Sequence, residues 1–404
     1  MACGVWRHAR STSHCDRPTA MRILCVHQGY ELYGSDRCFI DSVSALRSAW
    51  PLADIEVVLP QDGPIVRPLE KLATRVAIEP LFILRRCGFA KLLALSPLRL
   101  PAALWRAARR MRGAQLVLVN TVVVLDYMLL ARFFSRKTLV HVHEIPDGAK
   151  LKLFRALLAW TKAEVIFNSN ATRSAYRLRN QTQHTVYNGI TPPAGLALAT
   201  DYDGQRPLRL LMMGRINRIK GQDLLIEAIA QLPRDVVNRL DIRIVGGTFK
   251  NDNRREENLR LAVHSARLDA VVRFEPFISD PAALYQWADV VVMPSRLPES
   301  LGRVAIEAMA HGRAVLASRI GGLAEIVEEN VTGWQIAPND TQAWSGAILR
   351  AVTRPELWRT YGEAGRRRME AMFSSRIIDR QLQSIFRAHV ASVHKPVVRR
   401  AVRA

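Results

Sequence analysis

The feature that most constrains the fold is a repeated alternation between short apolar or β-branched runs and longer stretches of helical periodicity, which begins at Met21. This alternation is typical of parallel strands joined by crossover helices. Because 404 residues exceed what one hydrophobic core usually serves, we expect two α/β domains. The predicted strands lie at 22–27, 55–59, 116–119, 138–143 and 165–168, and then at 208–214, 242–246, 271–275, 290–294 and 314–318.

The two groups of strands are separated by a segment rich in Pro, Gly and Ala, at 191–207, which lacks helical periodicity. The fold class is therefore α/β, with two Rossmann-like domains that face each other across a cleft. Residues 1–20 hold no apolar run of signal-peptide length, so they do not resemble a secretory signal. We expect them to be a tail or the product of a misassigned start, because Met21 opens MRILCVH, the pattern of a buried strand. The remaining boundaries are an N-terminal domain at 21–195, a linker at 196–207, a C-terminal domain at 208–375 and a basic helix or tail at 376–404.

The charge balance points to an anionic partner, since 58 Lys+Arg against 36 Asp+Glu give a net charge of +22. Nucleic acid, phospholipid headgroups and phosphorylated ligands all fit this charge. Five cysteines without a CxxC spacing support neither a disulfide framework nor a zinc ribbon, and they favour a reducing cytosolic setting. The most apolar window, 116–134, contains Asn120, Thr121 and Asp126, so a strand, turn and helix explain it better than a membrane span.

Two cations bracket a short loop in the second half of the chain. Arg215 and Lys220 follow the predicted strand at 208–214 and precede a helix that starts near Gln222. Such a junction presents backbone N–H groups and a positive helix end, and two cations there would complete a diphosphate clamp. A solvated basic loop is the simpler alternative.

Two glutamates flank the start of a later predicted helix, which runs from about residue 303 to residue 311 and is capped by Gly312. Glu299 lies in the loop before the helix and is able to accept hydrogen bonds from the hydroxyls of a sugar. Glu307 lies about one turn inside and is able to hold both hydroxyls of a ribose. Gly302 would let the first helical N–H groups approach phosphate oxygens. Either glutamate alone is most simply a surface residue of a helix.

The blocks GRINRIKG, ADVVVMPS, PESLGRVAIEAMAHGRAVLAS and GGLAEIVEENVTG resemble the nucleotide-sugar domain of the retaining GT-B glycosyltransferases of family 4. The resemblance covers about 208–338, and it is looser in the first half, in MRILCVHQGYELYGSDRCFIDSV, HVHEIPD, VIFNSNATRSAY and VYNGI. It implies transfer of a sugar from a nucleoside diphosphate donor, UDP- or GDP-linked, to an acceptor hydroxyl with retention of anomeric configuration. It also implies a role in cell-surface polysaccharide or glycolipid biosynthesis.

The resemblance implies specific roles for residues of the second domain. Arg215 and Lys220 would bind the diphosphate, Glu299 would contact the donor sugar, and Glu307 would hold the ribose. Leu301 and Gly302 would complete the donor-binding set, with Glu299, Arg215 and Lys220 counted as catalytic.

In the first domain, the resemblance sets Gly34 near the phosphates and His143 near the reacting centre. The loop reads YGSD where relatives more often have a Gly-Gly pair, so Gly34 and Ser35 match the pattern only in part. For His143, a buried histidine at a strand end with satisfied hydrogen bonds is the alternative.

No cofactor and no metal are expected. Fixed cations and helix-end amides are able to neutralise the charge that develops on the departing nucleoside diphosphate. The sole Asp-x-Asp motif, Asp201 to Asp203, lies in the linker rather than at a strand end. No nucleophilic carboxylate on the far face of the donor is evident, so we predict same-face attack assisted by the leaving group, with a covalent route still open.

A basic and apolar segment at 80–125 contains no acidic residue. We expect it to bind an anionic leaflet, with a glycan or lipid-linked acceptor, in a cytoplasmic protein held peripherally at the inner face of the cell membrane. A pair of solvated amphipathic helices is the alternative. The basic residues concerned are Arg85, Arg86, Lys91, Arg99, Arg106, Arg109, Arg110 and Arg112.

Three other functions compete with glycosyl transfer. Nucleic-acid binding fits the charge, but the chain has no recognised helix-turn-helix, zinc or RNP motif, and we expect no nucleic-acid partner. An isomerase or phosphorylase on the same fold is closer, because a fold does not settle a reaction. A non-catalytic sugar-nucleotide-binding module is disfavoured by Glu299 and Lys220.

Overall fold

The computed structural model of the chain describes residues 20–32, 34–84, 89–146, 148–192, 202–248 and 253–394. Residues 1–19, most of the expected linker and the end of the basic tail lie outside this part of the chain. No helix in the described ranges is long and apolar enough to cross a bilayer.

The first domain is built on parallel strands. They are β1 (Arg22–His27), β2 (Asp54–Leu59), β3 (Arg75–Ile78), β4 (Leu116–Asn120), β5 (Thr138–Val142), β6 (Glu164–Phe167) and β7 (Gln183–Thr185). Within the described residues these strands form one sheet in the order β3-β2-β1-β4-β5-β6-β7. Its helices are α1 (Gly34–Ala49), α2 (Val66–Glu70), α3 (Phe89–Gly113), α4 (Leu125–Ala131), α5 (Gly148–Thr161) and α6 (Asn170–Tyr176), with a 3₁₀ turn at Ser135–Lys137.

The second domain repeats this plan. Its strands are β8 (Leu208–Met213), β9 (Leu240–Val245), β10 (Val272–Glu275), β11 (Val290–Met293), β12 (Ala314–Ser318) and β13 (Gly333–Ile336), and all the strand pairs found are parallel. The described strands are ordered β10-β9-β8-β11-β12-β13. The helices are α7 (Gln222–Ala230), α8 (Arg234–Val237), α9 (Asn253–Ser265), α10 (Ala282–Trp287), α11 (Arg303–Ala310), α12 (Leu323–Ile326), α13 (Thr341–Thr353) and α14 (Glu356–Met372).

Both sheets carry a hydrophobic core on each face, which is why their central strands read as continuous apolar runs. All ten predicted strands are present, with ends that shift by at most two residues. The fold prediction of two Rossmann-like α/β domains is confirmed. The apolar window 116–134 is divided as expected, into β4, a turn and α4.

The sequence missed β3, β7 and β13. Each lies at a sheet edge and has only three or four residues, so none forms a continuous apolar run. Edge strands are covered on fewer sides, and their sequences keep polar residues such as Gln183 and Gln335.

The C-terminal segment returns to the first domain. Helix α15 (Ser375–His394) follows α14 and packs on α1, where Ile378, Leu382 and Phe386 join a core cluster with Phe39. We had expected a basic helix or tail here. In the structure the helix instead supplies apolar side chains to the core of the first domain.

Candidate functional site

The candidate site lies at the carboxyl ends of the central strands of the second sheet, where parallel α/β sheets bind ligands. The loop after β8 is pressed against the end of β11. A Cβ on Gly221, whose φ is +76°, would lie 1.9 Å from the carbonyl oxygen of Pro294. The Arg296 amide donates to the Ile219 carbonyl at 2.8 Å. This packing fixes the loop that carries Lys220.

Lys220 and Glu299 meet across the two loops. The Lys220 ammonium donates to Oε2 of Glu299 at 2.7 Å, and the Ser295 hydroxyl donates to Oε1. The side chains of Lys220 and Glu299 are 20% and 9% exposed. The Glu299 carboxylate is therefore held by an ammonium and a hydroxyl, and the ammonium-bearing side chain is the more exposed of the ion pair.

Glu307 lies on α11 and has both oxygens engaged. Arg303 donates from Nε to Oε1 at 2.8 Å, and the Tyr285 hydroxyl donates to Oε2 at 2.9 Å. Burial, and then the Glu307 charge, raise the pKa of Tyr285 well above its usual range, so this phenol stays a donor. The carboxylate is thus oriented by a cation and a phenol.

Gly302 has a packing requirement besides the phosphate approach expected of it. We predicted that it would leave room for phosphate oxygens. In the structure it precedes α11 with φ at +96°, and a Cβ there would lie 2.3 Å from Cδ2 of Leu323. The glycine therefore serves the left-handed turn and the packing against α12. The Leu301 side chain is buried in the core, so any donor contact there would come from its backbone.

Arg215 lies in the same loop as Lys220 and is half-buried. Its carbonyl accepts a hydrogen bond from the Gln222 side-chain amide at 3.2 Å, which ties the start of the loop to the start of α7.

The first domain reaches this site through α1. A Cβ on Gly34, the first residue of α1, would lie 3.8 Å from Cδ of Arg303. Although burial opposes its charge, Cys38, Glu307 and Asp41 raise the pKa of Arg303. Burial raises the pKa of Asp41 to about 6. Arg303 therefore lies at the domain interface, close to the loop that holds Gly34.

Ser35, the next residue of α1, donates from Oγ to Asp36 at 3.5 Å. This hydrogen bond lies within the first domain.

His143 follows β5 and is buried. Its Nε2 is 2.9 Å from Oδ1 of Asn120. Burial lowers the pKa of His143 well below 6.5, with further lowering from His141 and His27, so the ring is neutral. This hydrogen bond lies within the first domain.

Sequence reasoning missed the residues that join the domains next to Glu299. The Ser169 and Thr172 hydroxyls donate to the Ser300 carbonyl, and the Asn168 amide donates to the Ser300 hydroxyl at 3.2 Å. Ser169 is also the N-cap of α6. The Ser-x-x-Thr pattern marks a helix start, but it carries no signal for a partner more than a hundred residues away.

Glu325 on α12 makes a second interdomain contact. Its carboxylate accepts from the Asn170 and Ala171 amides at 3.0 and 2.5 Å, and from the Tyr187 hydroxyl at 2.9 Å. Free amides at a helix N-terminus favour an anion. Glu325 therefore clamps the start of α6 to the second domain.

One aspartate of the Asp-x-Asp motif is described by the structure. Asp203 accepts from the Gln205 amide at 2.9 Å, which forms a local turn, and Asp201 lies outside the described residues. Within the described ranges, no cluster of three or more His, Cys, Asp or Glu side chains is arranged to hold a metal ion.

Comparison with solved structures identifies the class of fold as GT-B. The chain is similar to Anabaena HepE in complex with UDP and glucose, with a TM-score of 0.75 at 23% identity over 91% of this chain and all of that one. It is also similar to sucrose-phosphate synthase of Thermosynechococcus elongatus, with a TM-score of 0.71 at 23% identity over 92% and 100% of the two chains. At these identities the likeness concerns the fold.

The second domain matches a family model. Residues 204–368 match the model of glycosyl transferases group 1. This confirms the resemblance noted from the sequence.

Among curated relatives, the chain is similar to D-inositol 3-phosphate glycosyltransferase of Saccharomonospora viridis, with 35% identity over 188 residues. The match covers 45% of this chain and 43% of that relative. The protein of the same name from Pseudarthrobacter chlorophenolicus is 41% identical over 143 residues, 34% of this chain and 33% of the relative. The chain thus aligns with less than half of each relative.

Proposed function

We propose that this chain is a retaining glycosyltransferase, which moves a sugar from a UDP- or GDP-linked donor to a hydroxyl of a glycan or lipid-linked acceptor. The pairing of Lys220 with Glu299 at the carboxyl edge of the second sheet is the observation that carries the proposal. It sets a cation for the leaving phosphate beside a carboxylate for the sugar. The structural relative with bound UDP and glucose supports a nucleotide sugar as the donor.

Charge explains how this arrangement would act. As the glycosidic bond breaks, negative charge develops on the β-phosphate, and preorganised cations stabilise that charge more than the ground state. Lys220 and Arg215 would provide the cations, with the amides at the start of α11. Glu299 would accept hydrogen bonds from donor-sugar hydroxyls, and Glu307 would hold the ribose. His143 would lie beside the reacting sugar as a neutral imidazole.

The first experiment identifies the donor and the reaction. Thermal-shift measurements with a panel of nucleotide sugars select a donor, which is then incubated with and without candidate acceptors. Transfer with release of the nucleoside diphosphate supports the proposal. An isomerised donor, or a sugar phosphate formed with inorganic phosphate, would instead assign an isomerase or a phosphorylase. The anomeric coupling constant of the product, measured by NMR, tests retention.

Metal independence is a separate part of the proposal. Lys220, Arg215 and helix-end amides would neutralise the leaving group without a divalent cation. We therefore expect EDTA to leave the transfer rate unchanged within about two-fold, and added Mg²⁺ or Mn²⁺ to have a similarly small effect. Loss of activity in EDTA that returns with metal would contradict this part.

We also propose that the protein meets its acceptor at an anionic membrane surface, and that the exposed face of α3 binds this surface. Arg99, Arg109 and Arg112 are exposed there, and Trp105 is 65% exposed with the Arg109 guanidinium 5.9 Å from its ring. Arg110, which we had counted with this surface, is instead paired inward with Glu56 and Glu79.

Cosedimentation with phosphatidylglycerol vesicles tests the membrane proposal, because each exposed basic residue near an anionic surface contributes about 1 kcal/mol. We expect binding at low salt, loss at high salt, and loss in the triple Arg→Glu variant of Arg99, Arg109 and Arg112. Its control, with the same change in net charge, reverses exposed arginines of the second domain. Equal binding by the two variants would contradict the proposed surface. The control positions are Arg254, Arg260 and Arg273.

A further inference from the structure

A buried chain of four polar side chains crosses the carboxyl edge of the first sheet. Strands β1, β4 and β5 are neighbours, with His27 in register with Asn120. His27 ends β1, Asn120 ends β4, and His143 follows β5, while Asp36 lies on α1 above them. All four side chains are buried, and at most 7% of any of them is exposed.

The hydrogen bonds along this network have one direction. The Asp36 carboxylate accepts from Nε2 of His27 at 2.7 Å, so that nitrogen carries the proton. Nδ1 of His27 lies 2.9 Å from the Asn120 side-chain amide nitrogen and 3.2 Å from the Asn120 carbonyl oxygen. In the neutral ring, with its proton on Nε2, Nδ1 holds a lone pair and accepts from the shorter contact, the amide. This orientation directs Oδ1 of Asn120 at Nε2 of His143, which donates at 2.9 Å. The proton of His143 is thus on Nε2, and its lone pair is on Nδ1.

Two further features show that this arrangement is built rather than incidental. A Cβ on Gly29 would lie 1.8 Å from Oδ1 of Asp36, so a larger residue there would displace the carboxylate from His27. Thr121, directly after Asn120, is a buried β-branched residue with φ at +128°, held by a 2.8 Å hydrogen bond from its hydroxyl to Glu144. A strained backbone conformation of this kind persists only where the surrounding contacts hold the residue in place.

We propose that Asp36, His27 and Asn120 are positioning residues that fix His143 in one neutral tautomer, with Nδ1 as a hydrogen-bond acceptor for a donor-sugar hydroxyl. Nδ1 of His143 is buried and has no hydrogen-bond partner among the described residues. A buried acceptor without a partner is unfavourable, and a sugar hydroxyl would satisfy it. The inference rests on the proposed function, since His143 acts only when a sugar lies beside it.

The test is Asp36→Asn, which keeps the shape of the side chain but removes the acceptor-only carboxylate. Without it His27 takes either tautomer, Asn120 inverts, and His143 loses its fixed proton. We expect kcat to fall by about 10- to 100-fold, less than the ~10⁴ seen where a carboxylate contacts the catalytic imidazole directly. KM for the donor should change by less than about two-fold, because Asp36 does not touch the donor. Asp54→Asn, at a half-buried position of the same domain where the side chain is 44% exposed, is the matched control.

A spectroscopic measurement separates positioning from a structural role. In ¹⁵N-histidine-labelled protein, with His143 assigned from a His143→Gln spectrum, the wild type should show a neutral Nε2–H tautomer. Asp36→Asn should show a mixture of tautomers, as should Gly29→Ala, which displaces Asp36 indirectly. Wild-type tautomer and kcat in Asp36→Asn would overturn the inference. So would a wild-type His143 protonated on Nδ1.

The NMR measurement needs neither donor nor acceptor, so it tests the network even if no transferase activity is found. A missing activity in wild type would count against the proposed function alone. A wrong tautomer in an active enzyme would count against the network alone.

Discussion

Lys220 and Glu299 form an ion pair, yet their replacement should move nucleotide binding in opposite directions. The reason is that both face one site while only the lysine attracts an anion. In Glu299→Gln the ammonium loses its counter-charge. In Lys220→Met the carboxylate remains, and an incoming diphosphate meets an anion with no cation between them.

The structure sets the magnitude. The ammonium is 2.7 Å from Oε2 of Glu299, so a phosphate oxygen bound on its other side would lie about 5 Å from the carboxylate. Two unit charges at about 5 Å repel by about 3 kcal/mol at an effective dielectric of about 20. Because a fifth of the Lys220 side chain stays in water, we take about 1 kcal/mol, which is a roughly five-fold tighter Kd for Glu299→Gln.

Removing the lysine has a larger effect. A hydrogen bond to a charged group contributes about 1.5 to 3 kcal/mol, so Lys220→Met should weaken binding of the nucleoside diphosphate by about 10- to 100-fold. Its turnover should fall by about 10²- to 10³-fold, as for loss of one preorganised donor to developing charge. Turnover of Glu299→Gln should also fall, by about 10²-fold, because the donor sugar loses a charged acceptor.

Isothermal titration calorimetry with UDP and GDP, at one fixed ionic strength, measures the two affinities. Arg273→Met, which removes a cation from an exposed ion pair on β10, is the control and should bind as wild type does. Weaker nucleotide binding in Glu299→Gln, equal to that in Lys220→Met, would show that the pair only supports the loop. Wild-type turnover in either variant would refute the proposed site.

Three further changes test the surroundings of the site. Glu325→Gln replaces a charged clamp on α6 by a neutral one, so it should increase the radius of gyration in small-angle scattering and lower kcat. Unchanged scattering and kcat would contradict a role in domain contact. Gly302→Ala should lower the free energy of unfolding by at least about 2 kcal/mol, because alanine is strained at a left-handed φ and would clash with Leu323. The Tm should fall by roughly 4 to 8 °C. An unchanged Tm would show that α12 moves aside easily. Burial raises the pKa of Asp41 from an ordinary value of 3.8 to about 6, so its charge opposes folding increasingly as pH rises between these values. Asp41→Asn should therefore stabilise the protein by about 3 kcal/mol well above pH ~6 and by little below pH ~4, and a constant difference in urea unfolding across this range would refute the pKa.

The strands and the donor loops could be predicted because their signals are local. A buried parallel strand such as β11 must be apolar along its whole length, since helices cover both faces. The loops at 214–221 and 299–302 follow such strands directly, so their position at the carboxyl edge comes with the strand assignment. Both Lys220 and Glu299 could be placed at this edge of the sheet from the strand assignment. Their shared role was suggested only by the resemblance to a known family.

The contacts between distant segments could not be predicted in this way. Glu325 and Asn170 are 155 residues apart, and no periodicity or spacing relates them. The same holds for Asp36 and Asn120, which are linked through His27. That link depends on β1 and β4 being neighbours in the sheet, although β2 and β3 lie between them in the chain. Gly302 shows a third kind of limit. The sequence singles out this glycine, but its close approach to Leu323 depends on how α11 and α12 pack together.

The four consecutive residues from Glu299 to Gly302 each make a different contact, and this couples the site to the domain interface. Glu299 holds Lys220, Ser300 is bound by the first domain, Leu301 is buried in the core, and Gly302 begins α11. A segment fixed at four successive positions has little freedom to adjust one contact alone. Any movement of the first domain that breaks the Ser300 contact would therefore also shift the Glu299 carboxylate relative to Lys220. Closure of the domains and alignment of the donor site would then be one event, in which α6 acts on Glu299 through a single peptide unit.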